Sequence, residues 1–548
     1  MKVCLLYRDK ERAEEESYYD TASVIKDLGL KTLFLSAAKR LIYENGEVKS
    51  VEKEDPFLME TLRNVMMIPL SSAEEISYRQ EIIKDSIKNE ELIRRLYGIS
   101  ASLLEKWNEL GRGGREKVKQ SNRVMRLTAD IKILHLFCDS LSEIKTLLRA
   151  PETRFQSEGM NSFKDELLKS FSDEREEFLK RVLSDISFYT DGTDDEDEGR
   201  ERVIRPRIVM ECGLEDGLKF SSIKLEEVSS RGDKFLKPGS TKAKIRDFVN
   251  SRIPDSFSTT GDMRINEQSQ VLEYGIVSFL VEELKSEMEE FQFFFDRLKY
   301  QAAFYLSAVQ LMHHFERISG DLCFPTVSDR RDLEFTELKE PVMGLQTHVE
   351  LIGNSCELKN KDLLIVTGAN QGGKSTFLRS IGIAQVMMQC GLPVMALSYS
   401  AGIFPNFFVH FTRREDSEMN SGRLDEELSR MNGIVEHLGE GSLLLLNESF
   451  ATTTEKEGSV IAYDIIKALT EAGVRILTVT HLLSFARRIY DETKDIDASG
   501  VEFLTAERKE DGHRTFKMIR HEPELTSFGL DLYKEIVGAV ASDEQNNV

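Results

Sequence analysis

Between Leu363 and Cys390 the chain reads as a strand, a glycine-rich loop and a helix in immediate succession, and no other stretch restricts the fold as much. Leu363-Leu-Ile-Val-Thr367 is a short unbroken apolar run, the pattern of a strand buried on both faces. Gly368-Ala-Asn-Gln-Gly-Gly-Lys-Ser375 follows, and Thr376 to Cys390 then carries helical apolar spacing that stops at Gly391. The loop has the form GxxxxGK[ST] in the strand-loop-helix setting such a motif requires. Gly372 and Gly373 let backbone N–H groups approach phosphates, and the start of the helix adds positive potential. Lys374 is placed to reach the β and γ phosphates and the Ser375 hydroxyl to ligate magnesium. ATP and Mg2+ are therefore the expected cofactors. The nucleotide-binding candidates are Gly368, Ala369, Asn370, Gln371, Gly372, Gly373, Lys374, Ser375 and Thr376.

Two further apolar strands end in polar residues suited to the same chemistry. Ser442-Leu-Leu-Leu-Leu446 runs into Asn447-Glu448, where P-loop ATPases keep a carboxylate for the magnesium shell and a Glu that polarises the attacking water. Glu448 is the general-base candidate. Asn447 stands where Asp is usual; its amide oxygen can accept from a magnesium-bound water but brings no negative charge, which predicts weaker metal binding and slower turnover. The plainer reading is that Asn447-Glu448 caps the next helix. Arg475-Ile-Leu-Thr-Val-Thr480 runs into His481, a candidate sensor of the γ phosphate, although a lone His is more often structural.

The rest of the chain is organised around long helices. A length of 548 residues exceeds one ordinary core, so several units are expected. Between Pro254 and Pro325 there is no proline, and apolar residues recur every three or four positions from Ile276 to Met312. An unbroken helix from about Asn266 to Arg317 would be roughly 80 Å long, the length of a lever or of half a coiled coil. Residues 73–182 are also helical in pattern and can pack against it. Phe291, Phe293, Phe294 and Phe295 can serve that packing or stack on bases. Residues 191–262 read as a tip or connector, with strand-like Val203-Ile204 and Arg207-Ile-Val-Met210, and with Lys234, Lys237, Lys242, Lys244 and Arg246 as a modest basic cluster that can contact phosphates or simply be solvated. The acidic run at Asp191 and Asp194–Glu198 is read as a solvated loop rather than a calcium cage. A net charge of −22 means that any nucleic-acid surface must be local. No apolar window is long enough to span a membrane, no secretory signal is legible, and the six cysteines lack CxxC spacing, so a cytoplasmic protein with reduced thiols and no membrane partner is expected.

These residues together resemble the MutS family of DNA mismatch-repair ATPases. Thr367-Gly-Ala-Asn-Gln-Gly-Gly-Lys-Ser-Thr376 matches that family's TGxNxGGKST, and Ser421-Gly422-Arg423 matches its SGR. The resemblance implies that Ser421 reaches the γ phosphate bound to a partner subunit in an ABC-like dimer, against a simple reading as a helix cap. Phe450-Ala-Thr-Thr-Thr454 replaces the glycines of the family's GRGTST loop and keeps Thr453, while Thr526-Ser-Phe-Gly-Leu530 is similar to its SYGL element. Leu62 to Ile82, with Ile68-Pro69 and Arg79-Gln80, is similar to the start of its core helical domain. Leu351 lies near where relatives place an aromatic against adenine. The first 60 residues contain no Phe-x-Glu wedge, so reading mismatches in that way is not expected.

The expected architecture is multidomain, with mainly α-helical core and lever arms followed by a C-terminal α/β P-loop ATPase domain, ABC-like. Its divisions are a small unassigned segment 1–55, core and lever helices 56–190, the acidic loop and tip 191–262, a returning lever helix 263–324, the ATPase domain 325–535 and a tail 536–548. The expected function is that of an ATP-hydrolysing homodimer on double-stranded or branched DNA. The alternatives are a nucleotide-gated scaffold or RNA- or ribosome-binding module with little hydrolysis, and a chromosome-maintenance ATPase, whose two halves would be split between chain ends.

Overall fold

The computed structural model describes residues 3–8, 18–19, 21–44, 47–115, 123–186, 207–215, 219–229, 257–258, 262–330, 332–347, 349–412, 422–496, 500–509 and 513–523. The basic cluster of 234–246, the acidic run, Val203-Ile204, Ser421 and residues 526–530 lie outside the described residues. The chain forms two compact units. One comprises Met1–Cys4, Glu91–Gln156 and Met160–Ala302; the other comprises Leu5–Glu90, Ser157–Gly159 and Ala303–Val548.

The first unit is helical. Its helices include all of Glu90–Arg115 beyond Glu90, Arg123–Arg149, all of Glu158–Ser170 beyond Gly159, Asp173–Ile186 and most of Asp262–Ile318, whose remaining turns from Ala303 belong to the second unit. From Met288 onward the stripe read from the sequence is buried: Met288, Phe291, Phe295, Leu298 and Ala302 face inward, and Phe137 meets Phe291 and Phe295 at 5.7 and 5.6 Å between ring centroids. Phe294 is buried as well. Phe293 is the exposed member of the cluster, with the Arg297 guanidinium 5.4 Å from its ring centroid. Buried Lys145 ties helix to helix by pairing with Asp173 and, at 2.8 Å, with Glu176. Burial works against the charged form of Glu176, but hydrogen bonds from Lys145, Lys180 and Ser142 outweigh it and hold its pKa at about 2. Arg207–Glu215 and Lys219–Ser229 pair antiparallel, and Phe257–Ser258 adds a third strand.

The second unit is built on a seven-stranded sheet. Its order is Tyr18–Tyr19, Asn406–Phe411, Leu443–Asn447, Arg475–Val479, Leu363–Thr367, Val501–Arg508 and Arg514–Arg520, parallel throughout except for the last strand. Leu363–Thr367 is buried at every position, as a strand covered on both faces must be. A smaller four-stranded sheet, Thr326–Val327, Ser398–Ala401, Leu333–Leu338 and Asn354–Leu358, packs Phe335 6.1 Å from Phe377 of the helix Lys374–Gln389.

Residues 1–55, which the sequence left unassigned, contribute the edge strand Tyr18–Tyr19, the helices Thr21–Asp27 and Lys31–Ala37, and the hairpin Leu41–Glu44 with Glu47–Val51. Leu28 and Leu445 both press on Gly382, where an added Cβ would come within 2.8 Å of each. The helix Ala73–Lys88 starts at Ser72, whose hydroxyl accepts from the Glu75 N–H. It carries Arg79, fully buried, whose guanidinium donates to the carbonyls of Leu6 and of Cys390. Its neighbour Gln80 donates to the Pro325 carbonyl at 2.9 Å. Among the described residues no helix is long and apolar enough to cross a membrane, and none of the His, Cys, Asp and Glu clusters could hold a metal by themselves.

Candidate nucleotide site

The loop after Leu363–Thr367 turns tightly because two of its glycines adopt left-handed backbone angles. Gly368 has φ 109° and lies so close to the strand Val501–Arg508 that a Cβ would be 2.9 Å from the Ala506 nitrogen; Gly373 has φ 89° and caps the helix Lys374–Gln389. Lys374 is buried, and its ammonium donates to the Gly368 and Ala369 carbonyls, both at 2.9 Å. Burial lowers its pKa, with the Glu448 carboxylate pulling the other way. A desolvated cation beside a helix N-terminus is a strong site for an anion. Ser375 and Thr376 follow in the first turn, half-buried.

Two parallel strands bring the downstream candidates alongside. Asn447 pairs in register with Val479, and the next residue, Glu448, donates its N–H to the Val479 carbonyl at 2.8 Å. Glu448 has φ 56°, and its carbonyl accepts from the Thr412 hydroxyl at 2.7 Å. His481 follows Thr480, whose N–H donates to Val366 in the strand before the loop. The result is a cleft of about 550 Å³ lined by Asn370, Gln371, Glu448, Glu455, His481, Leu483 and Ser484. Four of these, Asn370, Gln371, Glu448 and His481, are candidates from the sequence.

The next helix starts at Glu455 and is capped by Thr454, so Asn447-Glu448 does not cap it. The helix Arg423–Val435 has Gly422 as its N-cap. Thr453 donates its hydroxyl to Glu457 at 2.7 Å. Leu351 is buried beside Gly344, so it does not offer a face to a base.

Several residues around the cleft carried no signal of their own in the sequence. Glu455 accepts from the Ser484 N–H and hydroxyl at 2.9 and 3.0 Å; burial would raise its pKa, but these bonds, that of Ser459 and the nearby His481 lower it. Arg514 donates to the Gln371 side chain at 3.0 Å. Phe516, half exposed, lies over Gly373, where an added Cβ would be 3.4 Å from its ring. Both come from an edge strand more than 140 residues downstream, so no local pattern announces them.

The residues present suit magnesium. The side-chain oxygen of Asn447, beside Glu448 in the chain, is buried and has no hydrogen-bond partner, and an amide oxygen, a carboxylate and the Ser375 hydroxyl are the oxygen donors that suit a hard cation and its water shell.

Comparison with known proteins finds matches over much of the chain. The family model for MutS domain V matches residues 364–539, and that for the MutS2 N-terminal domain matches residues 71–194. The chain is 25% identical over 490 residues to an Endonuclease MutS2 of Carboxydothermus hydrogenoformans, covering 87% of this chain and 56% of that protein. It is 26% identical over 293 residues to an Endonuclease MutS2 of Lacticaseibacillus casei, covering 50% of this chain and 35% of the relative. A DNA mismatch repair protein MutS of Synechococcus is 31% identical over 166 residues, 30% of this chain and 18% of its own length. The chain thus spans about half or less of the length of these relatives. With a glycine-rich loop, a strand-borne carboxylate and a strand-borne histidine meeting in one cleft, and with both family models matching in chain order, the chain belongs to the MutS family.

Proposed function

We propose that the chain binds ATP with Mg2+ in this cleft and hydrolyses it, as an ABC-like P-loop ATPase that works as a homodimer on double-stranded or branched DNA in repair or recombination. The convergence of Asn370, Gln371, Glu448 and His481 on one cleft, beside the loop bearing Lys374, carries this reading. Lys374 neutralises the β and γ phosphates, and the loop N–H groups from Gly368 to Thr376 orient them. Ser375 would hold Mg2+ and Asn447 would accept from one of its waters, as its unpartnered buried oxygen allows. Mg2+ supplies Lewis-acid stabilisation of the charge that builds on the phosphate oxygens. Glu448 polarises the attacking water and His481 reads the γ phosphate, while Ser421 reaches the nucleotide of the partner subunit. Residues 56–190 and 263–324 form the lever arms, 191–262 the tip, 325–535 the ATPase domain and 536–548 a tail, and ATP binding biases the arms by its differential contacts with these groups.

Phosphate release dependent on Mg2+ tests the reading. Lys374→Ala should abolish it, and Glu448→Gln should bind ATP while losing about a hundredfold in rate. Light scattering of Glu448→Gln with ATP should give a dimer; a monomer under every condition refutes the composite site. Salt-dependent binding to duplex and branched DNA tests the ligand. The neutral Asn447 favours a second reading, a nucleotide-gated scaffold or an RNA- or ribosome-binding module with little hydrolysis; wild-type turnover equal to that of Lys374→Ala would select it.

A further inference from the structure

The loop that carries Glu448 is strained, and its restraint comes from a carboxylate outside the cleft. Glu448 and Phe450 both have left-handed backbone angles, φ 56° and 65°, on either side of Ser449. For residues with a Cβ each such angle costs roughly 1–2 kcal/mol, so neighbouring groups must hold the turn. Three strand contacts hold its first half: Val479 accepts from the Glu448 N–H, Thr412 donates to the Glu448 carbonyl, and the Ser449 hydroxyl lies 2.7 Å from the His410 ring nitrogen Nδ1. The second half is held by Glu427, from the second turn of the helix Arg423–Val435. Its side chain is buried; one carboxylate oxygen accepts from the Phe450 N–H at 2.6 Å and the other from the Thr452 hydroxyl at 2.6 Å. The Phe450 ring is fully buried and stacks 6.1 Å from His410, which closes the turn from the other side.

A carboxylate with both oxygens committed to one loop, and little access to solvent, is placed to set that loop's geometry rather than to support its own helix. Charge-assisted hydrogen bonds of this kind are short and directional. Buried acceptors of this kind are also costly to remove, because the N–H they satisfied is left without a partner.

We infer that Glu427 is a positioning residue for hydrolysis: by clamping Phe450 and Thr452 it fixes the turn that aims the Glu448 carboxylate into the cleft. This rests on the proposed role of Glu448 as the group that polarises water. Glu427 lies outside the residues lining the cleft, so it governs turnover and not affinity.

The test compares Glu427→Ala, Glu427→Gln and Thr452→Val in the full chain, by three readouts. The first is phosphate release at saturating ATP and Mg2+, where Glu427→Ala should lose about tenfold in kcat, Thr452→Val less, and Glu427→Gln, which keeps an acceptor for Phe450, should stay within about threefold of wild type. The second is equilibrium binding of a fluorescent ATP analogue, expected to be unchanged within about twofold in all three. The third is amide hydrogen exchange of the peptide 448–454 without nucleotide, which should lose protection in Glu427→Ala and keep it in Glu427→Gln. Unchanged exchange in Glu427→Ala overturns the inference whether or not the protein hydrolyses ATP. So does an affinity that falls in step with kcat, or a Gln variant as defective as Ala. Absence of wild-type turnover refutes the hydrolytic reading alone, and the exchange measurement then still decides the role of Glu427. Thr452→Val, which removes one bond and keeps the carboxylate, carries the test if Glu427→Ala fails to fold.

Discussion

Arg79 shows how a single residue can join distant parts of the chain. Its guanidinium is fully buried between the rings of Tyr7 and Phe304, 5.2 and 5.3 Å away, and donates to the Leu6 and Cys390 carbonyls. Cys390 caps the C-terminal end of the helix that begins at Lys374, where carbonyls are unsatisfied and the helix dipole is negative. Arg79→Lys keeps the charge but loses the planar fork, and should destabilise by about 2–4 kcal/mol, read as a lowered thermal midpoint. Asn447 is the other residue whose identity has a measurable consequence. Its buried side-chain oxygen lacks a partner, and Asn447→Asp would place a formal charge there. The variant should reach half-maximal phosphate release at about tenfold lower Mg2+; an unchanged Mg2+ requirement would remove Asn447 from the metal shell. At this scale the sequence singles out residues whose type and neighbours suggest a chemistry, as with Lys374, Glu448 and His481. It was silent on Glu427, Arg514 and Phe516, whose significance depends on what the fold brings next to them.

Elements were legible where periodicity is strong and local. The long helix, expected from about Asn266 to Arg317, runs Asp262–Ile318, because an apolar stripe repeated over many turns leaves one low-energy conformation. The strands ending at Thr367, Asn447 and Val479 were equally clear, since continuous apolar runs belong to a buried parallel sheet. The two-residue strand Tyr18–Tyr19 could not be read, because it exists only by pairing with Asn406 and Phe407. Helix-to-helix contacts in the first unit make a further prediction. Glu176 titrates at about 2, below the ordinary carboxylate value of 4.5, so its bridge to Lys145 contributes fully above about pH 4.5 and is lost as pH falls toward about 2. Denaturant midpoints of wild type and Glu176→Gln should therefore differ at neutral pH and converge as pH drops through that window; a constant gap would assign the difference to packing.

For the molecule as a whole, sequence proximity is a poor guide to which parts belong together. The second unit gathers Leu5–Glu90 and Ala303–Val548 into one body, with the Tyr305 hydroxyl donating to the Leu5 carbonyl. A chain is synthesised in one direction, however, and this gives the edge strand at Tyr18–Tyr19 a consequence in time. Its partner lies at 406–407, so at about 5–20 residues per second the first residues wait roughly 20–80 s on the ribosome for the strand that completes them. Val24, Leu28 and Leu33, wholly buried in the finished protein, precede that partner strand by more than 370 residues. Slowed translation between the two strands should therefore send more of the protein into aggregates, read as a larger insoluble fraction.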